Sequence, residues 1–224
     1  MRPTTALTIS LLCALAMAGV SCTQPTAPAA VHEERETMTI PEKYHDPARF
    51  AEQIAAFEAA DAEAMPPTGA IVCVGSSSMR GWHPWLADDL APLTVIGRGF
   101  GGSNMYDALV YVDRVVLKYR PRAVLLYEGD NDVALGVTPR EILQMFGALR
   151  KAIHRELPDC RIYVMSVKPS PSRWEMWPQM VQTNRLLQAA CNGDERLTYI
   201  DVSTPMLGAD GQPLPTCTPP TAST

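Results

Sequence analysis

The sequence predicts one α/β domain: a three-layer α/β/α sandwich on a five-stranded parallel sheet, lacking its final helix. Three observations predict it. Five short apolar runs recur along the chain, helical patterns separate them, and 224 residues of which 46% are apolar suffice for one good-sized core. Continuous apolar runs mark strands covered on both faces, and strands alternating with helices imply parallel pairing through right-handed crossovers.

Taken in order, the chain opens with Arg2 and an apolar run from Ala6 to Val20 that is short for a bilayer span and ends in Gly19, Val20, Ser21 and Cys22. Residues 1–22 therefore read as an export signal. Small residues leading into a cysteine resemble the lipobox of bacterial lipoproteins, with Cys22 the lipidated residue of a cell-envelope protein. Ordinary cleavage nearby, giving a soluble periplasmic or secreted protein, is the alternative. Residues 23–45 are rich in Pro, Thr and Ala and then in charge, a composition that suits a tether. The domain is placed at 46–224.

From Asp46 the stretch "DPARFAEQIAAFEAADAEA" has an N-cap, a proline in the first turn, and Phe50, Ile54 and Phe57 at helical spacing. The apolar runs then follow at Ala70–Gly75, Leu93–Gly97, Ala123–Gly129, Arg161–Val167 and Leu197–Val202. Helices are expected over Met105–Tyr119, Pro139–Leu157 and Trp177–Cys191. Ligands of such sheets bind at the carboxyl ends of the strands, so function is sought in the residues just after them.

Composition removes some classes. The net charge is −5 with no Lys/Arg-rich run, so nothing marks a nucleic-acid partner. Cys73, Cys160, Cys191 and Cys217 share no CxxC spacing, so neither zinc nor a disulfide framework is indicated. Cys73, inside a strand run, reads as a small buried hydrophobe.

Three clusters follow the first three strands: "GSSS" at Gly75–Ser78, "GRGFGGSN" at Gly97–Asn104, and "EGDND" at Glu128–Asp132. The serines suit a helix cap or a nucleophile. They do not form the nucleophile elbow of the α/β-hydrolases, because Met79 stands where GxSxG needs glycine. Gly97, Gly99 and Gly102 have GxGxxG spacing, but follow the second strand rather than the first, and Glu128 comes late for a ribose partner. A glycine-rich turn allowing close backbone approach is the plainer reading. Asp130, Asn131 and Asp132 read as a loop, with a metal site or helix cap as alternatives.

In combination these clusters resemble the first three sequence blocks of the SGNH hydrolases, also called GDSL-like lipases or esterases, over about Ala70 to Val202. A bacterial subgroup with "GSSS" and a "KPSPSRW" loop, here Lys168–Trp174, is especially similar. The resemblance implies a flavodoxin-like fold and ester hydrolysis through an acyl-serine, without metal or cofactor, on short acyl groups such as acetyl on a carbohydrate. It implies Ser77 as nucleophile, with Ser76 in place of the commoner Asp. The oxyanion hole is then the N–H groups of Ser77 and Gly102 with the Asn131 amide. Ser78 is expected to cap a helix; Arg80, Arg98, Arg173 and Trp174 are candidates to border the substrate site, with an ordinary surface or packing role as the alternative for each. The partner is a small-molecule or glycan ester, with membrane attachment only through a lipid on Cys22.

A serine nucleophile needs a base, and the family carries Asp-x-x-His after the fifth strand. His32, His45, His83 and His154 all precede that strand, and none has Asp three residues before it. Asp201 and Asp210 lack a following His. The tail "LPTCTPPTAST" has no apolar period. These features predict a truncated or frameshifted domain with an uncovered apolar face and impaired hydrolysis. A reading shifted by two nucleotides, with G or C at chosen codon endings, restores Asp-x-x-His. A non-catalytic envelope module that binds acylated glycans is the rival expectation, and a dinucleotide enzyme a weaker one.

Overall fold

A computed structural model of the chain describes residues 41–214; the segment read as an export signal, Cys22, His32 and the tail from Pro215 lie outside the described residues. The strands are β1 (Ile71–Gly75), β2 (Val95–Gly99), β3 (Ala123–Tyr127), β4 (Arg161–Met165) and β5 (Leu197–Ile200). They form one sheet in the order β2-β1-β3-β4-β5, every pairing parallel. The second strand starts two residues later than its apolar run suggested. The Leu93 N–H closes a turn onto the Leu90 carbonyl at 2.9 Å, so pairing begins at Val95 opposite Ile71.

The helices are α1 (Ala51–Glu63), α2 (Ser77–Trp82), α3 (Leu86–Asp89), α4 (Met105–Val110), α5 (Val112–Val115), α6 (Asp130–Ala134), α7 (Pro139–Glu156) and α8 (Trp177–Asn192). The Asp46 carboxylate accepts the Ala48 N–H and starts a 3₁₀ turn, Pro47–Phe50, that runs into α1. Helix α7 opens with Thr138 and Glu141 in a reciprocal capping box and Pro139 in its first turn, where a missing N–H costs nothing.

The single helix expected over Met105–Tyr119 is broken into α4, α5 and a 3₁₀ turn at Leu117–Tyr119. Five consecutive residues, Met105 to Leu109, are buried together with Tyr111, Val112, Val115, Val116 and Tyr119, more than one continuous helical stripe can turn inward. The Tyr111 hydroxyl also donates to the Pro47 carbonyl at 2.8 Å, which holds the break in place.

Alternation along the strands divides the interior. Val72, Val74, Val124, Leu126, Ile162 and Val164 join the main core with Leu109, Phe146, Leu149 and Leu187. Cys73, Leu125 and Tyr127 point the other way, toward Met79 and Leu86. On that second face α2 and α3 lie against β1 and β2. Beyond them a groove of about 560 Å³ is lined by Leu90, Leu93, Leu125, Tyr163 and Ile200. Among the described residues no α-helix follows β5, only a 3₁₀ turn at Thr204–Met206.

The last residues of the expected tether belong to the fold. Tyr44 is buried and donates to the Asp132 carboxylate at 2.9 Å, and Lys43 pairs with Glu141 at 2.8 Å. No helix among the described residues is long and apolar enough to cross a membrane.

Burial pushes the Cys73 thiol up to about 12 and the Cys160 and Cys191 thiols up to about 11. All three are free. Because the thiolate is the reactive form, they are expected to resist a disulfide reagent in the folded protein and react only after denaturation. Peptide mapping of the labelled protein checks this; rapid native labelling of Cys73 would contradict its placement in the sheet.

Candidate active site

Strand register assembles the site. Gly75 at the end of β1 pairs with Gly99 of β2 on one side and with Tyr127 of β3 on the other. The three following segments therefore leave the sheet side by side, bringing Ser77, Gly102 and Asn131 to one edge. Pairing extends past the strands: Ser76 N–H donates to the Tyr127 carbonyl at 3.1 Å, and Phe100 N–H to that of Gly75 at 2.9 Å.

The three serines have different environments. Ser76 is fully buried, with its hydroxyl 3.4 Å from an Asp130 carboxylate oxygen. Ser78, expected as a cap, instead sits half-buried inside α2 against the Tyr127 phenol. It cannot cap because the helix has already begun at Ser77. Ser77 is exposed in the first turn, and its hydroxyl meets no partner among the described residues.

Gly102 is exposed with φ +92°, a conformation glycine adopts without strain, and its N–H donates to no described residue. The cluster "GDND", expected as a loop, is instead the short helix α6, which Gly129 introduces at φ +124°. Asn131 on this helix donates through Nδ2 to the Ser103 carbonyl at 2.7 Å, and its Oδ1 accepts from Arg173 at 2.8 Å. One N–H of the amide is left over.

Carboxylates brace this loop from below. Ser103 Oγ donates to Glu128 at 2.5 Å, and the Met105 N–H reaches both Asp132 oxygens at 3.2 Å. Burial, with Asp132 nearby, pushes the Glu128 carboxyl well above the usual range, and its other oxygen has no partner. Burial likewise raises Asp132 to about 6, against the hydrogen bonds from Tyr44 and Met105. Glu128 as the anchor of Ser103 escaped the sequence reading. A charged residue at the end of the apolar run "AVLLYEG" was the available signal, since a buried carboxyl demands a partner.

The other expected border residues differ. Arg98 is buried and does not border the site: Nε donates to the Tyr119 hydroxyl at 2.6 Å, Nη1 to the Gly97 carbonyl at 2.7 Å, and Nη2 pairs with Asp61 at 2.5 Å. It staples the β2 edge because its partners lie on α1 and after α5, away from the strand ends. Arg80 is exposed, with its guanidinium against Gly101, where a Cβ would come within 2.5 Å of it. Trp174 stacks on Trp177, ring centres 5.8 Å apart.

The GxGxxG spacing has a packing cause. A Cβ on Gly97 would lie 2.7 Å from the His83 ring, and one on Gly99 would lie 2.4 Å from the Arg80 backbone. These glycines let the α2 segment approach β2.

Histidine placement bears on the base. His83 Nε2 accepts the Gly99 N–H at 2.9 Å, so its lone pair is occupied; burial, then Arg98 and Arg80, lower its pKa. His154 Nε2 lies 2.9 Å from the Cys160 carbonyl, just before β4 and hence at the opposite end of the sheet. His45 is exposed. Asp201 accepts from Ser203 and Thr204; burial works to raise its pKa, but these bonds hold it at about 2. Among the described residues, none of these histidines is hydrogen-bonded to Ser77.

The sequence model of the GDSL-like lipase/acylhydrolase family matches residues 43–220. The chain belongs to this family. A GDSL-like lipase from Bacteroides thetaiotaomicron superposes with a TM-score of 0.60 at 20% identity, over 78% of this chain and 86% of that one. A provisionally assigned acylhydrolase from Bacteroides fragilis gives 0.61 at 19%, over 81% and 88%. A protein provisionally called a platelet activating factor, from Streptococcus pneumonia, gives 0.66 at 16%, over 86% and 90%. At these identities the likeness concerns the fold. No curated protein matches the chain. Membership brings a general esterase or hydrolase function, in agreement with the resemblance carried by "GSSS", "GFGGS" and "GDND".

Proposed function

We propose that this GDSL-family chain acts on carboxylic esters through an acyl-serine on Ser77. The observation that carries this reading is the contrast among the serines: Ser76 is fully buried against Asp130 and Ser78 half-buried against the Tyr127 phenol, while Ser77 is exposed on the segment that leaves β1, between the segments carrying Gly102 and Asn131. In the reaction, Ser77 Oγ forms a bond to the ester carbonyl carbon. The carbonyl oxygen takes the negative charge, facing the N–H groups of Ser77 and Gly102 and the remaining Asn131 N–H. Collapse expels the alcohol, and water then releases the acid and frees the serine. The proton leaving Ser77 must pass to a base and return to the alcohol, and His83 and His154 are committed elsewhere. Turnover is therefore impaired, by on the order of a millionfold if no other base serves.

The substrate class we favour is a short-acyl ester, such as acetyl on a carbohydrate. Asn131→Ala is expected to lower hydrolysis of p-nitrophenyl acetate on the order of a hundredfold or more, since one oxyanion donor is worth roughly 2.7 to 4 kcal/mol. An unchanged rate would reduce Asn131 to a structural residue. Binding of acetylated oligosaccharide with no acyl-serine by mass spectrometry would favour the rival binding module.

We further propose export to the bacterial envelope with a lipid on Cys22. Cys22→Ser is then expected to move the protein from the membrane to the soluble fraction of expressing cells. Unaltered fractionation and no acyl chain on the N-terminal peptide would rule out the anchor.

A further inference from the structure

We propose that Arg173 is a positioning residue for the oxyanion hole, setting both the orientation and the donor strength of the Asn131 amide. This rests on the reading of Asn131 as an oxyanion donor. The Asn131 side chain has two ends, and only the nitrogen end can help a developing oxyanion. Arg173 Nη2 donates to Oδ1 at 2.8 Å, and the Ser103 carbonyl accepts from Nδ2 at 2.7 Å. Rotating the amide by half a turn would set donor against donor at Arg173 and acceptor against acceptor at Ser103. Among the described residues Arg173 is the sole hydrogen-bond donor to Oδ1. Without it, the Ser103 carbonyl alone would hold the amide.

The guanidinium also acts through charge. A cation bonded to an amide oxygen draws electron density from the nitrogen and makes the remaining N–H a stronger donor. This charge is held in place, since Nη1 lies 3.6 Å from the Asp130 carboxylate. The supporting segment is anchored as well. The Asn184 side chain accepts from the Val167 N–H at 2.8 Å and donates to its carbonyl at 2.9 Å. Trp174 stacks on Trp177 at the start of α8. The "KPSPSRW" stretch thus delivers one guanidinium to the back of one amide.

The test is the rate at which a fluorophosphonate labels Ser77 in the full chain, since the phosphoryl oxygen occupies the oxyanion position. Arg173→Met keeps the apolar stem and is expected to lower the maximal labelling rate roughly tenfold, with little change in half-saturating probe concentration. Arg173→Lys, which restores a charged donor, is expected to fall between. The deciding measurement is the double variant: with Asn131→Ala already present, Arg173→Met should cost nothing more. A further tenfold loss there would mean that Arg173 acts independently of Asn131, overturning the inference. So would wild-type labelling by Arg173→Met, with equal melting temperatures establishing that the variants are folded. If Asn131→Ala labels as fast as the unsubstituted chain, the oxyanion reading fails and takes this inference with it; if the unsubstituted chain does not label at all, Ser77 is no working nucleophile and the proposed function itself falls, with this inference.

Discussion

Ser77→Ala is expected to abolish fluorophosphonate labelling and any ester hydrolysis, while Ser76→Ala and Ser78→Ala retain most of both. Labelling is the deciding readout: in comparable serine enzymes losing the nucleophile costs about as much as losing nucleophile and base together, so hydrolysis already impaired by the missing base falls little further. The neighbours differ in kind. Ser76 is fully buried with a hydroxyl contact of 3.4 Å, so its removal should cost about 1 kcal/mol of stability rather than the reaction. Ser78 is half-buried against the Tyr127 phenol, and its loss should loosen that contact without removing the attacking oxygen. Labelling kinetics, with the modified peptide located by mass spectrometry, separate the three. Equal loss in all of them, or a label on Ser76, would mean that the nucleophile is misassigned.

Gly75→Ala is expected to cost the fold roughly 3 to 5 kcal/mol and to remove labelling with it. Gly75 has φ +154°, and a Cβ there would lie 2.2 Å from the Tyr127 carbonyl oxygen. That carbonyl belongs to the neighbouring strand and accepts the Ser76 N–H at 3.1 Å, so it cannot withdraw without parting β1 from β3 where the serines begin. Natural domains have about 5 to 15 kcal/mol in hand, and the melting temperature should fall by about 10 °C or more. Gly147 is the control. It lies inside α7 with no atom within 4 Å of a built Cβ, so Gly147→Ala should stabilise by about 0.4 to 1 kcal/mol. A Gly75→Ala protein melting with the unsubstituted chain would show that the strand ends are looser than this packing implies.

The strands were legible because each is a continuous apolar run, and the glycine and serine blocks because each follows one. What escaped was whatever depends on partners distant in the chain. Arg98 reads like Arg80 and Arg173, as a charge near a block, yet its partners Asp61 and Tyr119 come from α1 and the turn after α5. His83 stands just after the serine block and invites a catalytic reading, but β2 lies close enough to place the Gly99 N–H on its ring nitrogen. The helix over Met105–Tyr119 had the right period and still broke, because burial demanded by both α1 and the sheet outweighed local propensity.

By itself the sequence determined the α/β class and the order of strands and helices, which follow from apolar periodicity, and it singled out Ser77, Gly102 and Asn131 as candidates through the resemblance of three local blocks to those of the family. Only the tertiary structure decided which serine is free, that Gly97 and Gly99 make room for the α2 segment, and that Arg173 stands behind Asn131. Each of these depends on segments remote in sequence meeting at distances of a few ångströms, and strand register, which no local pattern encodes, sets those distances.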